Sequence, residues 1–203
     1  MDGFELSQMS NGYADEWRSV SEWLKLSFHS DRENICPYEC SGYDEVFEDC
    51  SAVNKEILRF TSADNLAKTT TVHYCQTTKE GLKALTDNGV VGLLGLFGTE
   101  DAPSTSYSLG KDTSDAVRQG NIVSSDGVAF ASLDMVVNGV KKDDLLTELN
   151  KLLTRDTIRI MIHEQYFYTD YINYQPDFEE KLETVFSHLR DNGYKSCFFE
   201  ELI

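Results

Sequence analysis

Residues 158–193, IRIMIHEQYFYTDYINYQPDFEEKLETVFSHLRDNG, hold the strand-then-helix pattern that decides the predicted fold. They open with the apolar run Ile158–Ile162, which is typical of a short β-strand. Apolar side chains then recur at helical spacing over Phe178–Leu189, between a predicted N-cap at Asp177 and a predicted stop at Gly193. This stretch therefore predicts a strand, a polar loop and an amphipathic helix in that order.

The same alternation recurs along the rest of the chain. Further strands are predicted at Leu24–Phe28, Lys68–Tyr74, Val90–Phe97, Ile122–Ser124, Val128–Val137 and Lys195–Phe199. Helices are predicted over Tyr43–Leu58, after a capping box at Thr77 and Glu80, and over Asp112–Gln119 and Leu145–Leu153. Strands that alternate with amphipathic helices imply a mostly parallel sheet covered by helices. We therefore predict an α/β fold in which residues 1–203 form a single domain.

The composition limits the classes of partner and the compartment. Lys and Arg total 18 against 35 Asp and Glu, and the net charge of −17 should repel nucleic acids and anionic lipid surfaces. No apolar run approaches the roughly 20 residues that a membrane span needs, so we expect no membrane partner. The five cysteines are an odd number without repeated CxxC spacing, which argues against a disulfide framework. The acidic, aromatic N-terminal segment is unlike a signal peptide, and together these features predict a cytoplasmic protein.

Three of the four histidines, His29, His73 and His163, come at the end of an apolar, strand-like run. Because the carboxyl ends of parallel strands share one face of the fold, we expect the three imidazoles to converge on one site. The alternative is that each imidazole caps its own strand and hydrogen-bonds a loop carbonyl. His188 lies on the flank of the last helix's apolar stripe, and it is predicted to be structural or solvent-facing.

Acidic residues follow His29 closely, at Asp31 and Glu33. Imidazole and carboxylate are the ligand pair that Zn²⁺ and similar divalent ions prefer, and water on such an ion ionises near neutral pH. A remaining histidine could then act as a general acid, because its pKa is close to the working pH. The alternative for Asp31 and Glu33 is a solvated, charged turn. The pattern predicts a divalent metal as cofactor, with Zn²⁺ the first choice.

From about Trp23 to the C-terminus, the chain resembles the polysaccharide deacetylases of the carbohydrate esterase type. The metal-binding motif of that family, His-Ser/Thr-x-x-His, matches residues 29–33 (HSDRE), where Glu33 stands in place of the second histidine. The late strand of the family that ends in a catalytic histidine resembles residues 160–164 (IMIHE). The resemblance implies a distorted, incomplete (β/α) barrel and a metal-dependent hydrolase acting on a carbohydrate-like N-acyl or O-acyl substrate.

The predicted site combines this resemblance with the residue patterns. His29 and Glu33 are the metal ligands, and the catalytic residues are His163, His73 and Asp31. Substrate contacts are predicted for Tyr74, Glu164, Tyr166 and Asp134. The tyrosine-rich loop 165–175 suits the apolar faces and hydroxyls of sugars, although packing over a barrel rim or forming a protein interface is an equal alternative.

The chain departs from the family at two motifs. Residues 73–75 (HYC) stand where the family has Arg-x-Pro-Tyr, and no aspartate pair precedes His29. The second departure implies that the N-terminal strand is lacking, and the open barrel edge would favour a homo-oligomer. It also leaves a second hypothesis, in which the chain is a catalytically incomplete member that binds a sugar or a protein partner.

Overall fold

The computed structural model describes residues 5–31 and 38–203. The chain forms two compact units, the first comprising Met1–Ala131 with Cys197–Ile203 and the second comprising Ser132–Ser196. The prediction of a single domain over 1–203 stays a prediction.

The first unit is built on a four-stranded sheet. Its strands are β1 (Thr69–Thr70), β2 (Gly92–Gly95), β3 (Val123–Ser125) and β4 (Val128–Ser132). The strand order is β1-β2-β4-β3, with β1 parallel to β2 and β3 antiparallel to β4. The turn between β3 and β4 is Asp126-Gly127, with φ of 52° and 82°. Positive φ at both central residues is what a tight type I′ hairpin requires, and an Asp-Gly pair supplies it at low steric cost.

Helices cover the sheet of the first unit. They are α1 (Ala14–Ser19), α2 (Tyr43–Phe60), α3 (Lys79–Asp87) and α4 (Lys111–Arg118). The faces of α2, α3 and α4 that carry buried residues enclose a core that includes Phe28, Val46, Leu85, Leu93 and Phe130, all at most 1% exposed, whereas α1 has no buried residue. These helices form because apolar residues recur at helical spacing and gain stability by burying one face.

The predicted start of α3 is wrong by one residue. Thr78, not Thr77, is the N-cap, and its hydroxyl accepts the N–H of Gly81 at 3.0 Å. The side chain of Thr77 is instead buried. Two adjacent threonines offer the same capping chemistry, so the packing of the preceding turn decides which one caps the helix.

The second unit holds two short parallel strands and two helices. The strands are β5 (Met135–Val136) and β6 (Ile160–Met161), and the helices are α5 (Leu145–Leu152) and α6 (Phe178–Asp191). Leu149, Phe178 and Val185 lie in a separate apolar core. The stop at Gly193 is confirmed, since Gly193 has φ of +88° and donates its N–H to the Arg190 carbonyl. The predicted N-cap position of Asp177 is confirmed, although its side chain makes no capping hydrogen bond.

The α/β class and the mostly parallel sheet are confirmed, whereas the barrel is not, because the described strands form no closed barrel. Within Leu24–Phe28, only Leu26 makes a strand-type bridge, to Leu66. The strand predicted at Lys195–Phe199 is wrong, since residues 194–198 have no regular secondary structure and Phe199–Glu201 is a 3₁₀ helix. The carboxylate of Glu200 accepts the backbone N–H of Lys68, and that of Glu201 accepts the N–H of Phe198. Side chains thus take up hydrogen bonds that a strand would give to its neighbour.

Within residues 5–31 and 38–203, no helix combines the length and the apolar character that crossing a bilayer would require.

Candidate functional site

His29 and His73 meet in the first unit, although 44 positions separate them in the sequence. His29 follows a segment that runs beside residues 65–73, because Leu26 exchanges backbone hydrogen bonds with Asn65 and Ala67. The N–H of His73 donates to the His29 carbonyl at 3.0 Å. Nε2 of His29 consequently lies 3.1 Å from Nδ1 of His73. The two imidazoles that the sequence predicted at neighbouring strand ends are therefore in direct contact.

A backbone carbonyl sets the tautomer of His29. Its Nδ1 lies 2.5 Å from the carbonyl oxygen of Thr71, which can only accept a hydrogen bond. Nδ1 must therefore carry a proton, and in the neutral ring Nε2 accepts a hydrogen bond from Nδ1 of His73, so an ion shared by the two nitrogens would take the place of that proton. A histidine that donates one N–H to a carbonyl and offers the other nitrogen is arranged as metal-ligating histidines are.

The spacing of the two nitrogens also suits a shared ion. Zn–N bonds are about 2.0–2.1 Å long, so two nitrogens 3.1 Å apart would subtend an angle of about 98° at one ion. That angle lies between the ideal octahedral and tetrahedral values, both of which divalent ions adopt. His29 is exposed and His73 is half-buried, so an ion could reach this position from solvent.

The remaining predicted members of the 29–33 motif are only partly described. Glu33 lies outside the described residues. Asp31 is exposed, and its backbone N–H donates to the Tyr38 hydroxyl at 3.3 Å. Tyr38 in turn donates to the buried carboxylate of Asp49 at 2.9 Å. In the described part of the chain, no three His, Cys, Asp or Glu side chains lie close enough together to hold a metal ion.

The backbone is strained where His73 is presented. Tyr74 and Cys75, directly after His73, have φ of 57° and 55°. Left-handed backbone costs a non-glycine residue about 1–2 kcal/mol, so this turn must be held by its surroundings. The ring of Tyr74 stands 4.3 Å from the His73 ring and is 60% exposed, which leaves it accessible to a bound molecule.

A second strained pair packs against the first. Tyr107 and Ser108 have φ of 55° and 53°, and the N–H of Tyr107 donates to the Cys75 carbonyl at 2.9 Å. The Tyr107 hydroxyl donates to the Leu94 carbonyl at 2.5 Å and lies 3.3 Å from the N–H of Val72. Burial raises the pKa of Tyr107 well above its ordinary value, so the phenol stays protonated and remains a donor.

His163 belongs to the second unit, where it follows β6. Its Nδ1 lies 2.9 Å from Oδ1 of Asn138, a residue that follows β5 in the same way. The Gln175 side chain donates to the Asn138 carbonyl, and it accepts a hydrogen bond from the buried ammonium of Lys181 at 2.8 Å. These contacts hold the His163 ring through Nδ1, which leaves Nε2 for proton transfer. Its role as catalytic acid stays a prediction.

Asp134 has a set of partners typical of a structural residue. Its side chain is fully buried and forms ion pairs with Arg155 and Arg159, and it accepts the Arg159 N–H at 2.8 Å. Burial raises the pKa of Asp134, against the opposing effect of both guanidinium groups. The predicted substrate contact stays a prediction, but both carboxylate oxygens are already engaged.

The tyrosine-rich loop divides into packed and exposed rings. Tyr166 stacks edge-on with Tyr171 at 5.3 Å and lies 6.0 Å from Phe178, so it contributes to the core of the second unit. Tyr168 is 57% and Ile172 is 92% exposed, and Glu164 is also exposed. Tyr166 therefore has the packing role that was one of the two alternatives for this loop. The ring of Tyr168 is exposed and remains available to contact a ligand or a protein. His188 bonds Asn150 of α5 at 3.0 Å, in agreement with its predicted structural role.

Three residues that position the histidines were not predicted from the sequence. Asn138 could have been found, because it ends an apolar run just as His163 does. Thr71 acts through its carbonyl, and Tyr107 lies more than thirty positions from His73, so neither has a local sequence signal.

The first unit also contains a mainly apolar cavity of about 290 Å³, lined by residues that include Phe28, Leu58, Leu66 and Val90. Neither His29 nor His73 lines it, so it is separate from the imidazole pair.

No protein-family model, no curated protein and no solved structure matches this chain.

Proposed function

We propose that the protein is a metal-dependent hydrolase in which His29, His73 and Glu33 hold a divalent ion, with Zn²⁺ the first candidate. The observation that carries the proposal is the 3.1 Å separation of His29 Nε2 and His73 Nδ1, with the other nitrogen of His29 fixed by Thr71. Glu33 is the third ligand by its place in the 29–33 motif. The two imidazoles and one carboxylate would leave a position open for substrate.

A divalent ion held there would polarise the carbonyl of an acyl group and acidify water. Around it, the carboxylate of Asp31 is the candidate base, because it is exposed and lies within the same motif. In the second unit, His163 is the candidate acid predicted from the sequence, and its Nδ1 is held by Asn138. Together these roles describe hydrolysis of an amide or an ester.

The proposed substrate is a carbohydrate-like N-acyl or O-acyl compound. Exposed Tyr74 beside the imidazole pair supports this class, because aromatic rings stack on the apolar faces of sugars. Glu164 and Tyr166 are further proposed contacts. The proposal also includes a relation to the polysaccharide deacetylases, which the chain resembles, and with it an incomplete barrel. A cytoplasmic location is proposed as well.

Metal analysis of His29→Ala, His73→Ala and His188→Ala tests the ligand set. We expect the unaltered protein to bind about one equivalent of Zn²⁺ and both ligand variants to lose most of it. His188→Ala is the matched control, since it removes an imidazole that bonds Asn150 in the second unit, and it should keep its metal. Circular dichroism should show an unchanged fold in all three. Equal metal content in the four proteins would remove His29 and His73 from the site.

Acetate release from a panel of N-acetylated sugars, with and without a chelator, tests the reaction. A hydrolase should release acetate, and the chelator should abolish the release. A second candidate function, binding of a sugar or protein without turnover, is favoured by one observation, that no aspartate pair precedes His29 in the sequence. Bound metal without turnover on any substrate would favour this second function.

A further inference from the structure

We propose that Tyr107 is a positioning residue for the imidazole pair, because it holds the turn that carries His73 in its strained conformation. The inference rests on the proposed function, in that the pair is taken to bind a divalent ion. Tyr107 itself touches neither imidazole ring; it acts through the backbone of residues 72–75.

The Tyr107 hydroxyl ties the His73 turn to the sheet. It receives the N–H of Val72, the residue before His73, at 3.3 Å, and donates to the Leu94 carbonyl in β2 at 2.5 Å. Tyr107 is only 3% exposed, so water cannot replace either bond without reorganising the core. The Tyr107 hydroxyl therefore fixes the position of Val72 relative to β2, a central strand of the sheet.

The far side of the turn is held by the same segment. The N–H of Tyr107 donates to the Cys75 carbonyl, the Gln76 side chain donates to the Thr105 carbonyl, and the Ser108 hydroxyl donates to the Thr77 carbonyl. The left-handed pair at Tyr74 and Cys75 is thus bonded on both flanks. Strained backbone persists only where its surroundings over-determine it, and these bonds provide that constraint.

The close approach of Tyr107 to β2 also explains why residue 95 is a glycine. A Cβ on Gly95 of β2 would lie 3.0 Å from Cε2 of Tyr107 and 2.9 Å from Cβ of Ser106. Only glycine lets segment 105–108 approach the strand closely enough for the hydroxyl to reach Leu94. Gly95→Ala should therefore displace the Tyr107 ring without removing any hydrogen-bonding group.

Tyr107→Phe tests the inference, because it keeps the ring and removes the hydroxyl. Tyr194→Phe is the matched control, since it also loses a phenol that donates to a carbonyl, that of Arg155 at 2.6 Å in the second unit. Two readouts are needed: the ¹⁵N shifts of the His29 and His73 imidazoles, and the dissociation constant for Zn²⁺ measured by chelator competition. We expect Tyr107→Phe to change both histidines' spectra and to weaken Zn²⁺ binding about 10-fold, the lower end of what loss of a partner bonded directly to a ligand costs. Tyr194→Phe should change neither.

The outcomes separate this inference from the proposed function. If the unaltered protein fails to bind Zn²⁺, the proposed function fails, yet the imidazole spectra still decide whether Tyr107 positions the pair. If Tyr107→Phe binds Zn²⁺ normally and leaves the imidazole spectra unchanged, the inference is overturned. Should Tyr107→Phe not fold, Gly95→Ala takes its place, with the same shifts expected and the same result overturning it.

Discussion

His29 illustrates how one contact defines the chemistry of a residue. The Thr71 carbonyl requires a proton on Nδ1, so the lone pair of the neutral ring must lie on Nε2, the nitrogen that faces His73. Without that contact either tautomer would be available, and the two rings would have no fixed relation. The same reasoning applies to His163, whose ring orientation depends on Asn138.

The cysteines give a prediction at the residue scale. Burial raises the pKa of Cys50 to about 12 and also raises the pKa of Cys75, whereas Cys40 and Cys197 are exposed. Because the thiolate is the reactive form, Ellman's reagent should label Cys40 and Cys197, but not Cys50 or Cys75, in the native protein. Cys50 and Cys75 should react after unfolding in guanidinium.

The labelling experiment uses a Cys36→Ser background, since Cys36 lies outside the described residues. Mass spectrometry of the labelled peptides identifies the sites. Labelling of Cys50 or Cys75 at the rate of Cys40 would show that the core of the first unit opens readily.

Among the elements, the helices match their predicted spans more closely than the strands do. Predicted helix Asp112–Gln119 corresponds to α4, and Leu145–Leu153 corresponds to α5, each within about one residue. The predicted strand Val128–Val137 instead divides into β4 and β5. A helix is bonded within itself, whereas a strand ends where its partner ends, and the partner's position is not encoded nearby.

Gly81 of α3 lies where α3 packs against α2, so a substitution at Gly81 tests how closely the two helices pack. A Cβ there would lie 2.2 Å from Oγ1 of Thr77 and 3.1 Å from Cγ2 of Val46 in α2. Alanine gains about 1 kcal/mol of helix propensity over glycine, but overpacking costs about 1–3 kcal/mol and Thr77 is stiff about χ1. We expect Gly81→Ala to lower the free energy of unfolding by about 1–2 kcal/mol.

Urea unfolding measures this change. Gly139→Ala is the control, because a Cβ at Gly139 meets nothing within 4 Å and its φ is not positive. The control should keep its stability or gain slightly. An equal effect of the two substitutions would contradict close packing at Gly81.

Asp87 of α3 bonds Tyr43 of α2, and its contacts predict that the stability of the protein depends on pH. Its carboxylate accepts the Lys83 ammonium at 2.6 Å and the Tyr43 hydroxyl at 2.7 Å, and both contacts lower its pKa from the usual 3.8. Because the pKa of Asp87 is lower in the folded state, Asp87 makes its full contribution to the free energy of unfolding at pH values above its ordinary pKa. That contribution is lost as the pH falls through the folded-state pKa.

We therefore expect Asp87→Asn to be less stable than the unaltered protein near neutral pH and equally stable at the acid limit. Chemical unfolding measured from about pH 7 to about pH 2 gives the difference in free energy at each pH. A difference that stays constant over this range would mean that Asp87 does not titrate as the contacts require.

At the scale of the whole molecule, the net charge determines how copies of the protein interact with one another. The net charge of −17 means that two copies repel each other at low ionic strength. In the first unit, β3 lies at the edge of the sheet, where its free side could pair with another strand. Self-association through this edge must therefore overcome electrostatic repulsion.

We predict that the oligomer fraction rises with salt. The Debye length falls from about 30 Å at 0.01 M to about 8 Å at 0.15 M, so added salt should permit pairing. Light scattering at micromolar concentration measures the mass, and Ser124→Glu, which adds a like charge to the exposed centre of β3, should oppose association. A monomer at both salt concentrations would end the proposal of a homo-oligomer.

Local pattern in the sequence was sufficient to determine the α/β class, the main helices, the stop at Gly193 and the placement of histidines after strand-like runs. Each of these depends on residues within a few turns of one another, where spacing and capping chemistry act directly. The resemblance added Glu33 as a ligand, which lies outside the described residues, and a barrel, which the described strands do not form.

Only the tertiary structure decided that Nε2 of His29 faces Nδ1 of His73, that Thr78 and not Thr77 caps α3, and that the chain after Lys195 ends in a 3₁₀ helix. It also placed Tyr107 behind the His73 turn and divided the chain into two compact units. The physical reason is that these features arise from packing between residues far apart in the sequence. Such contacts select among conformations that local preferences leave nearly equal in free energy.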